Sequence, residues 1–234
     1  MQKPKRPQHW QLRTEVFLRR PNRFIAYIEV NGHEEICHVK NTGRCKELLV
    51  PGATIYVQHH NDPKRKTQYS LIAVKKGELL INMDSQAPNK VVEEWLRTTE
   101  PWGPITLLRP ETTYGASRFD FYLETATERR FIEVKGVTLE EEGVVRFPDA
   151  PTERGVKHVH ELMACRAEGY QAAIVFVVQI EGMCYFTPNW QTHPAFGQAL
   201  VEARQAGVEV LAYGCRVTPE TLDIVESLPI NLKY

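Results

Sequence analysis

Hydrophobic and polar positions alternate in short runs through the first third of the chain. "TEVFLRR" (14–20), "RFIAYIEVNG" (23–32), "HEEICHVK" (33–40), "ATIYVQHH" (53–60) and "YSLIAVKK" (69–76) are rich in Val, Ile and Tyr. Several keep the period of two that sends successive side chains to opposite faces of a strand. Asn31-Gly32 is a strong hairpin signal, and Pro51-Gly52 and "NDPKRK" (61–66) punctuate the rest. Five short strands predict a small barrel, with an OB-like fold, which closes its edges with that number, as the natural candidate and a different small β-barrel as the alternative.

The rhythm changes after "DSQAP" (84–88). "NKVVEEWLRT" from Asn89 places Val91, Val92, Trp95 and Leu96 at helical spacing. "SRFDFYLE" (117–124) and "RRFIEVKGVTL" (129–139) alternate like neighbouring strands joined by the turn "TATE". A helix follows over "TERGVKHVHELMACRAEGY" (152–170), with Pro151 in its first turn and Gly169 at its end. "AAIVFVVQI" (172–180) is continuously apolar, as in a strand buried on both faces. "FGQALVEARQAG" (196–207) and "VEVLAYGCRV" (208–217) add a helix and a strand. The chain thus divides into residues 1–85, a β-barrel, and 86–234, a mixed α/β domain.

Composition narrows the setting. No apolar run reaches the roughly 18 residues of a membrane span. The N-terminal "MQKPKRPQHWQLR" is basic but lacks the apolar core of a secretory signal. The five cysteines are scattered and form no CxxC, which fits buried thiols in a reducing cytoplasm. Net charge is zero, yet residues 1–85 carry 15 Lys and Arg against 8 Asp and Glu, and the remainder carries 14 against 21. A basic module joined to an acidic one points to different partners, with phosphate backbones the natural match for the first.

The basic residues form three clusters: Arg19, Arg20 and Arg23; Lys40, Asn41, Arg44 and Lys46 around Gly43; and Lys64, Arg65 and Lys66. On an OB-type module such clusters serve single- or double-stranded DNA, and Tyr27, Tyr56 and Tyr69 are candidate stacking platforms. With no zinc finger and no recognition helix, weak sequence preference is expected.

The acidic module carries the candidate chemistry. Asp120, flanked by Phe119 and Phe121, is expected on the face opposite theirs. Glu133 and Lys135, two apart on the next strand, share one face, with Ile132 and Val134 on the other. Two carboxylates on adjacent strands make a hard oxygen site for Mg²⁺ or Mn²⁺, and a neighbouring lysine can stabilise charge on a phosphate. Glu93 and Glu94 on the preceding helix are candidate additional ligands, and Arg154 and Lys157 candidate phosphate contacts. His158 and His160 diverge on a helix and make a poor chelate. No GxSxG, P-loop or GxGxxG appears.

Asp, a gap, then Glu-x-Lys, between two helices, resembles the PD-(D/E)XK nuclease pattern. More specifically, "VKNTGRCKELLVPG", "NDPKRKTQYS", "YGASRFDFYLE", "FIEVKGVTL" and "FPDAPTERGVKHVHELM" resemble the sugar fermentation stimulation protein A (SfsA) family over roughly residues 12 to 222. Lys40 departs from it, standing before "NTGR" where proline is common. The resemblance implies an N-terminal OB-like domain and a C-terminal PD-(D/E)XK nuclease-like domain. It places Asp120, Glu133 and Lys135 on the nuclease motif and DNA as the partner. Two functions stay open: a metal-dependent deoxyribonuclease, or a non-catalytic DNA-binding regulator of sugar (maltose-type) metabolism genes.

Overall fold

Alternation in the first module resolves into six strands: β1 (Leu12–Arg19), β2 (Ile25–Val30), β3 (His33–Val39), β4 (Thr54–His59), β5 (Tyr69–Lys76) and β6 (Leu79–Asn82). The structure, a computed structural model, describes residues 12–41 and 43–234. The basic N-terminal stretch tested for a secretory signal lies outside them, apart from its last two residues. The strand order is β3-β2-β1-β4-β5-β6, and a parallel β3–β5 pairing closes the first five into a barrel. Ala26, Ile28, Val30, Ile55 and Val57 fill its interior. Asn31 and Gly32 both adopt positive φ and join β2 to β3 across the Val30–His33 pair, the hairpin that this dipeptide favours. β6 was not foreseen, because four residues are too few to display a period.

The second module is α/β. Its elements are α1 (Ala87–Thr99), β7 (Leu107–Tyr114), β8 (Ser117–Glu124), β9 (Arg129–Val137), β10 (Leu139–Glu141), β11 (Val144–Phe147), α2 (Glu153–Ala167), β12 (Gln171–Val178), β13 (Tyr185–Pro188), α3 (Pro194–Gln205), β14 (Glu209–Val217) and β15 (Leu222–Ser227). Six strands form a sheet in the order β15-β14-β12-β9-β8-β7, parallel at β9–β12–β14. The central β12 is buried on both faces, as its apolar run requires. Ala173, Val175 and Val177 pack with Val92 and Leu96 of α1, while Ile174 and Phe176 join the core containing Val159 and Leu162 of α2 and Leu200 of α3.

The missed strands have readable causes. β7 contains Pro110, which an edge strand tolerates. β10, β11 and β13 are short and form a small sheet of their own, with β13 also bridged to Ile230. α2 begins after Thr152, whose hydroxyl accepts the Gly155 N–H at 3.0 Å, so Pro151 precedes the helix instead of lying in its first turn. Four cysteines are buried and Cys184 is exposed. Burial pushes the thiols of Cys37, Cys45, Cys165 and Cys215 up to about 12, which keeps them protonated and inert. Among the described residues no helix is long and apolar enough to cross a membrane.

One amide locks the two modules together. Gln179, 1 % exposed, follows β12 and donates to the Asn82 side chain at 2.8 Å and to the Asp84 carbonyl at 3.2 Å. Its backbone carbonyl accepts the Asn82 N–H at 3.0 Å. A Cβ on Gly136 would stand 2.5 Å from the Gln179 side-chain oxygen and 2.9 Å from Pro88, so the junction closes only on glycine. Lys76 adds a second tie, donating to the Glu140 carboxylate at 2.6 Å and to the Glu140 carbonyl at 2.8 Å. Burial raises the affinity of Glu140 for a proton, but bonds from Lys76 and the Gly143 N–H outweigh it and hold the carboxyl below its usual range.

A depressed folded-state pKa contributes stability above the unfolded value and loses it as pH falls. Glu140→Gln is therefore expected to cost about 1 kcal/mol near neutral pH, discounted for the half-exposed Lys76. The deficit should start to shrink near about pH 4 and close only once the pH has fallen below the depressed folded-state value. Denaturant midpoints of both proteins across pH measure it.

Candidate metal and nucleic-acid site

β8 and β9 pair from Glu124–Arg129 to Phe121–Ile132, and the ladder stops there. Beyond that point the Asp120 carboxylate takes over, one oxygen accepting the Val134 N–H and the other the Asn89 side-chain amide from α1, each at 2.7 Å. Strict alternation does not survive this. Phe121 packs with Ile132 and Val134 on the α1 side, but Phe119 packs with Phe131 and His158 in the other core. The two phenylalanines thus do not share the face opposite Asp120.

Glu133 and Lys135 do share a face, and Ile132 and Val134 take the other. Glu133 is only 3 % exposed. Its Oε1 accepts from Lys135 Nζ and from His158 Nδ1, the latter at 2.5 Å. Its Oε2 is buried without a hydrogen-bond partner. Burial works to raise the Glu133 pKa, but the bonds from His158 and Lys135 prevail and lower it. Asp120 shifts the other way, raised first by burial and then by the charge of Glu133. The pair is therefore short of positive charge on the Asp120 side.

These residues fit a hard divalent cation. Two carboxylates are present, one with an idle buried oxygen, and Mg²⁺ commonly takes one or two carboxylates and keeps its remaining waters. Among the described residues no group of three or more His, Cys, Asp or Glu side chains gathers as a ready cage. Glu93 and Glu94 do not join the site: Glu93 is paired with Arg97 at 2.9 Å and Glu94 is exposed. Lys157 reaches the Ala116 carbonyl and Glu161 instead of the carboxylates. Arg154 stands one link away, its Nε donating to His158 Nε2 at 3.3 Å.

Sequence reasoning missed Asn89 and the bond from His158. The second was detectable: Gly155, His158, Val159, Leu162 and Cys165 form the buried stripe of α2, so a histidine in that stripe needs an inward partner.

The basic residues divide by what they already hold. Arg20 donates to the carbonyls of Asn22, Arg23, Asn41, Gly43 and Arg44, at 2.7 to 3.2 Å, and so staples the loop after β3. Arg19 forks onto Glu34 and lies over the Tyr27 ring. Lys40 pairs with Asp84, and the Asn41 side chain caps the Gly43 N–H. Tyr69 is buried against His59. Arg23, Arg44 and Lys46 are exposed and, with Arg19 and Arg20, line a groove of about 420 Å³. Arg23 and Gly43 also line a cleft of about 350 Å³ between the modules, whose other wall includes Gly136, Thr138, Arg146 and Gln179. Lys64, Arg65 and Lys66 lie apart on the exposed β4–β5 loop, where Arg65 reaches Ser70 at 3.3 Å.

Two family models match the chain: the SfsA N-terminal OB domain over residues 18–83 and the sugar fermentation stimulation protein RE domain over residues 86–221. The chain belongs to the sugar fermentation stimulation protein family. It is 54 % identical to the homolog from Clostridium beijerinckii, covering 92 % of this chain and 96 % of that protein. It is 53 % identical to the homolog from Desulfitobacterium hafniense DCB-2, covering 94 % and 96 %. A structure of Pyrococcus furiosus SfsA in complex with Ca²⁺ superimposes with a TM-score of 0.86 at 27 % identity, over 94 % of this chain and 96 % of that one. The sugar fermentation stimulation fold thus places the OB barrel and the carboxylate strands in one continuous body.

Arg20 is expected to be structural. Arg20→Ala should lower the thermal midpoint, because five backbone acceptors lose their donor, whereas Arg44→Ala and Lys66→Ala should keep the unfolding free energy within about 0.5 kcal/mol of wild type. Calorimetric unfolding of the three variants checks this.

Proposed function

We propose that this protein is a divalent-metal-dependent deoxyribonuclease of PD-(D/E)XK type, acting on DNA held by the basic barrel in the cytoplasm. The observation that carries the reading is the idle, buried Oε2 of Glu133 beside Asp120 and Lys135. A buried carboxylate oxygen without a donor costs free energy that a cation would recover. Asp120 and Glu133 are the residues that would hold Mg²⁺ or Mn²⁺. When bound, the ion supplies charge neutralisation at phosphate and a more acidic water. The Ca²⁺ of the Pyrococcus furiosus relative supports a divalent-cation site in this fold.

The chain's own groups do the rest. Lys135 lies against Glu133 Oε1, where its ammonium would orient the attacking water or meet the charge growing on the phosphate. Arg23, Arg44 and Lys46 offer unspent donors to the DNA backbone, and their groove shares Arg23 and Gly43 with the cleft that Gly136, next in the chain to Lys135, helps to line. A regulator that binds DNA without cutting it is the second reading. It is favoured by the way Lys135 and His158 already neutralise Glu133, and by the two bonds that occupy both oxygens of Asp120.

Plasmid and single-stranded DNA incubated with Mg²⁺, Mn²⁺ or EDTA separate the two. Cleavage should require the metal and fall about 100-fold or more in Glu133→Ala and Lys135→Ala. Equal trace cleavage by all three proteins would leave only the regulatory reading. DNA affinity should fall with salt, and Arg44→Ala or Lys46→Ala should reduce the salt slope by about one each.

A further inference from the structure

We propose that His158 is a positioning residue that decides which oxygen of Glu133 is offered to the cation, an inference that rests on the metal-dependent reading above. The proton on its ring can be placed by elimination. Arginine has donors and no acceptor, so the Arg154 Nε–His158 Nε2 contact at 3.3 Å makes Nε2 the accepting nitrogen. The ring N–H is then at Nδ1, and it donates to Glu133 Oε1 at 2.5 Å. His158 is 4 % exposed and its ring packs edge-to-face with Phe119, with centroids 6.1 Å apart and planes at 71°, so packing fixes its plane.

The consequence lies on the carboxylate. Oε1 receives both His158 and Lys135, while Oε2 receives nothing and is buried. A lysine alone would not enforce this, since a rotatable ammonium on a flexible stem follows whichever oxygen turns toward it. The imidazole cannot follow, because it is held at Nε2 by Arg154 and in its plane by Phe119. It therefore pins Oε1 and leaves the lone pairs of Oε2 for the ion. Groups that orient a metal-binding side chain in this way typically change metal affinity 10- to 100-fold when removed.

Two amide substitutions separate this role from simple packing. In His158→Asn the amide nitrogen reaches the place of Nδ1 and keeps the bond to Glu133. In His158→Gln the amide reaches the place of Nε2, keeping Arg154 and losing Glu133. Mn²⁺ titrated into each purified full-length protein by calorimetry, without DNA, reads the affinity, and thermal midpoints in EDTA read packing. The expected result is an affinity loss of about 10- to 100-fold in His158→Gln and retention of most of the affinity in His158→Asn. Wild-type affinity in His158→Gln overturns the proposal. So does an equal loss in both variants that tracks their thermal midpoints in EDTA. Glu133→Gln distinguishes the two levels. If it binds Mn²⁺ as wild type does, the metal reading itself falls. If it loses the ion while His158→Gln keeps it, only the role of His158 falls.

Discussion

A single buried amide sets the geometry on which the rest of this molecule depends. Gln179 sits where β12 leaves the central sheet, and its side-chain NH2 donates to the Asn82 side chain at the end of β6 and to the Asp84 carbonyl of the inter-module segment. An amide in that position has no water to fall back on, so moving the modules apart would strand a buried donor and two acceptors. The OB barrel is thereby held against the carboxyl ends of β9 and β12, where open α/β sheets present their ligand-binding crevices. Arg23 and Asn41 of the barrel thus face Gly136 and Thr138 across one cleft.

The same end of the sheet concentrates electrostatic cost. Glu133 is carried into the interior by β9, and burial works to raise its affinity for a proton. Two donors on one oxygen hold it ionised, and the cost reappears as an unpartnered second oxygen and as a raised affinity of Asp120 for protons. Interiors assembled for stability alone rarely retain such an arrangement, since an apolar side chain of similar size is as good or better. Strained electrostatics beside a cleft is a mark of a functional centre.

Asp120 shows how local structure shapes this carboxylate cluster. By accepting the Val134 N–H it substitutes a side-chain acceptor for a ladder carbonyl, which allows β8 to depart from regular pairing without leaving a buried donor idle. The departure sends Phe119 under His158 and Phe121 under α1. One irregular step in a strand thus supplies both the carboxylate and the packing of the residue that touches its partner.

Much of this was legible in the residues themselves. Period-two runs gave the barrel strands, Asn31-Gly32 its hairpin, the apolar run of β12 its central place, and parity the shared face of Glu133 and Lys135, because backbone geometry alone dictates these relations. The basic clusters were legible as charge but not as function. Arg20 and Arg44 look alike in sequence, and only the folded loop turns one into a staple with five carbonyl acceptors and leaves the other exposed. Glu93 and Asn89 are likewise one helical turn apart, and the packing of α1 on the sheet brings Asn89 to Asp120 while Glu93 pairs with Arg97. Sequence by itself determined the five barrel strands, the three helices, the central strand and the shared face of Glu133 and Lys135, since those periods are local, but not the short strands or the faces of Phe119 and Phe121. Tertiary structure decided which polar groups are spent on one another and which oxygen of Glu133 is left over, since hydrogen-bond partners more than a hundred positions apart in some cases, and 25 apart at His158, meet only when the layers pack.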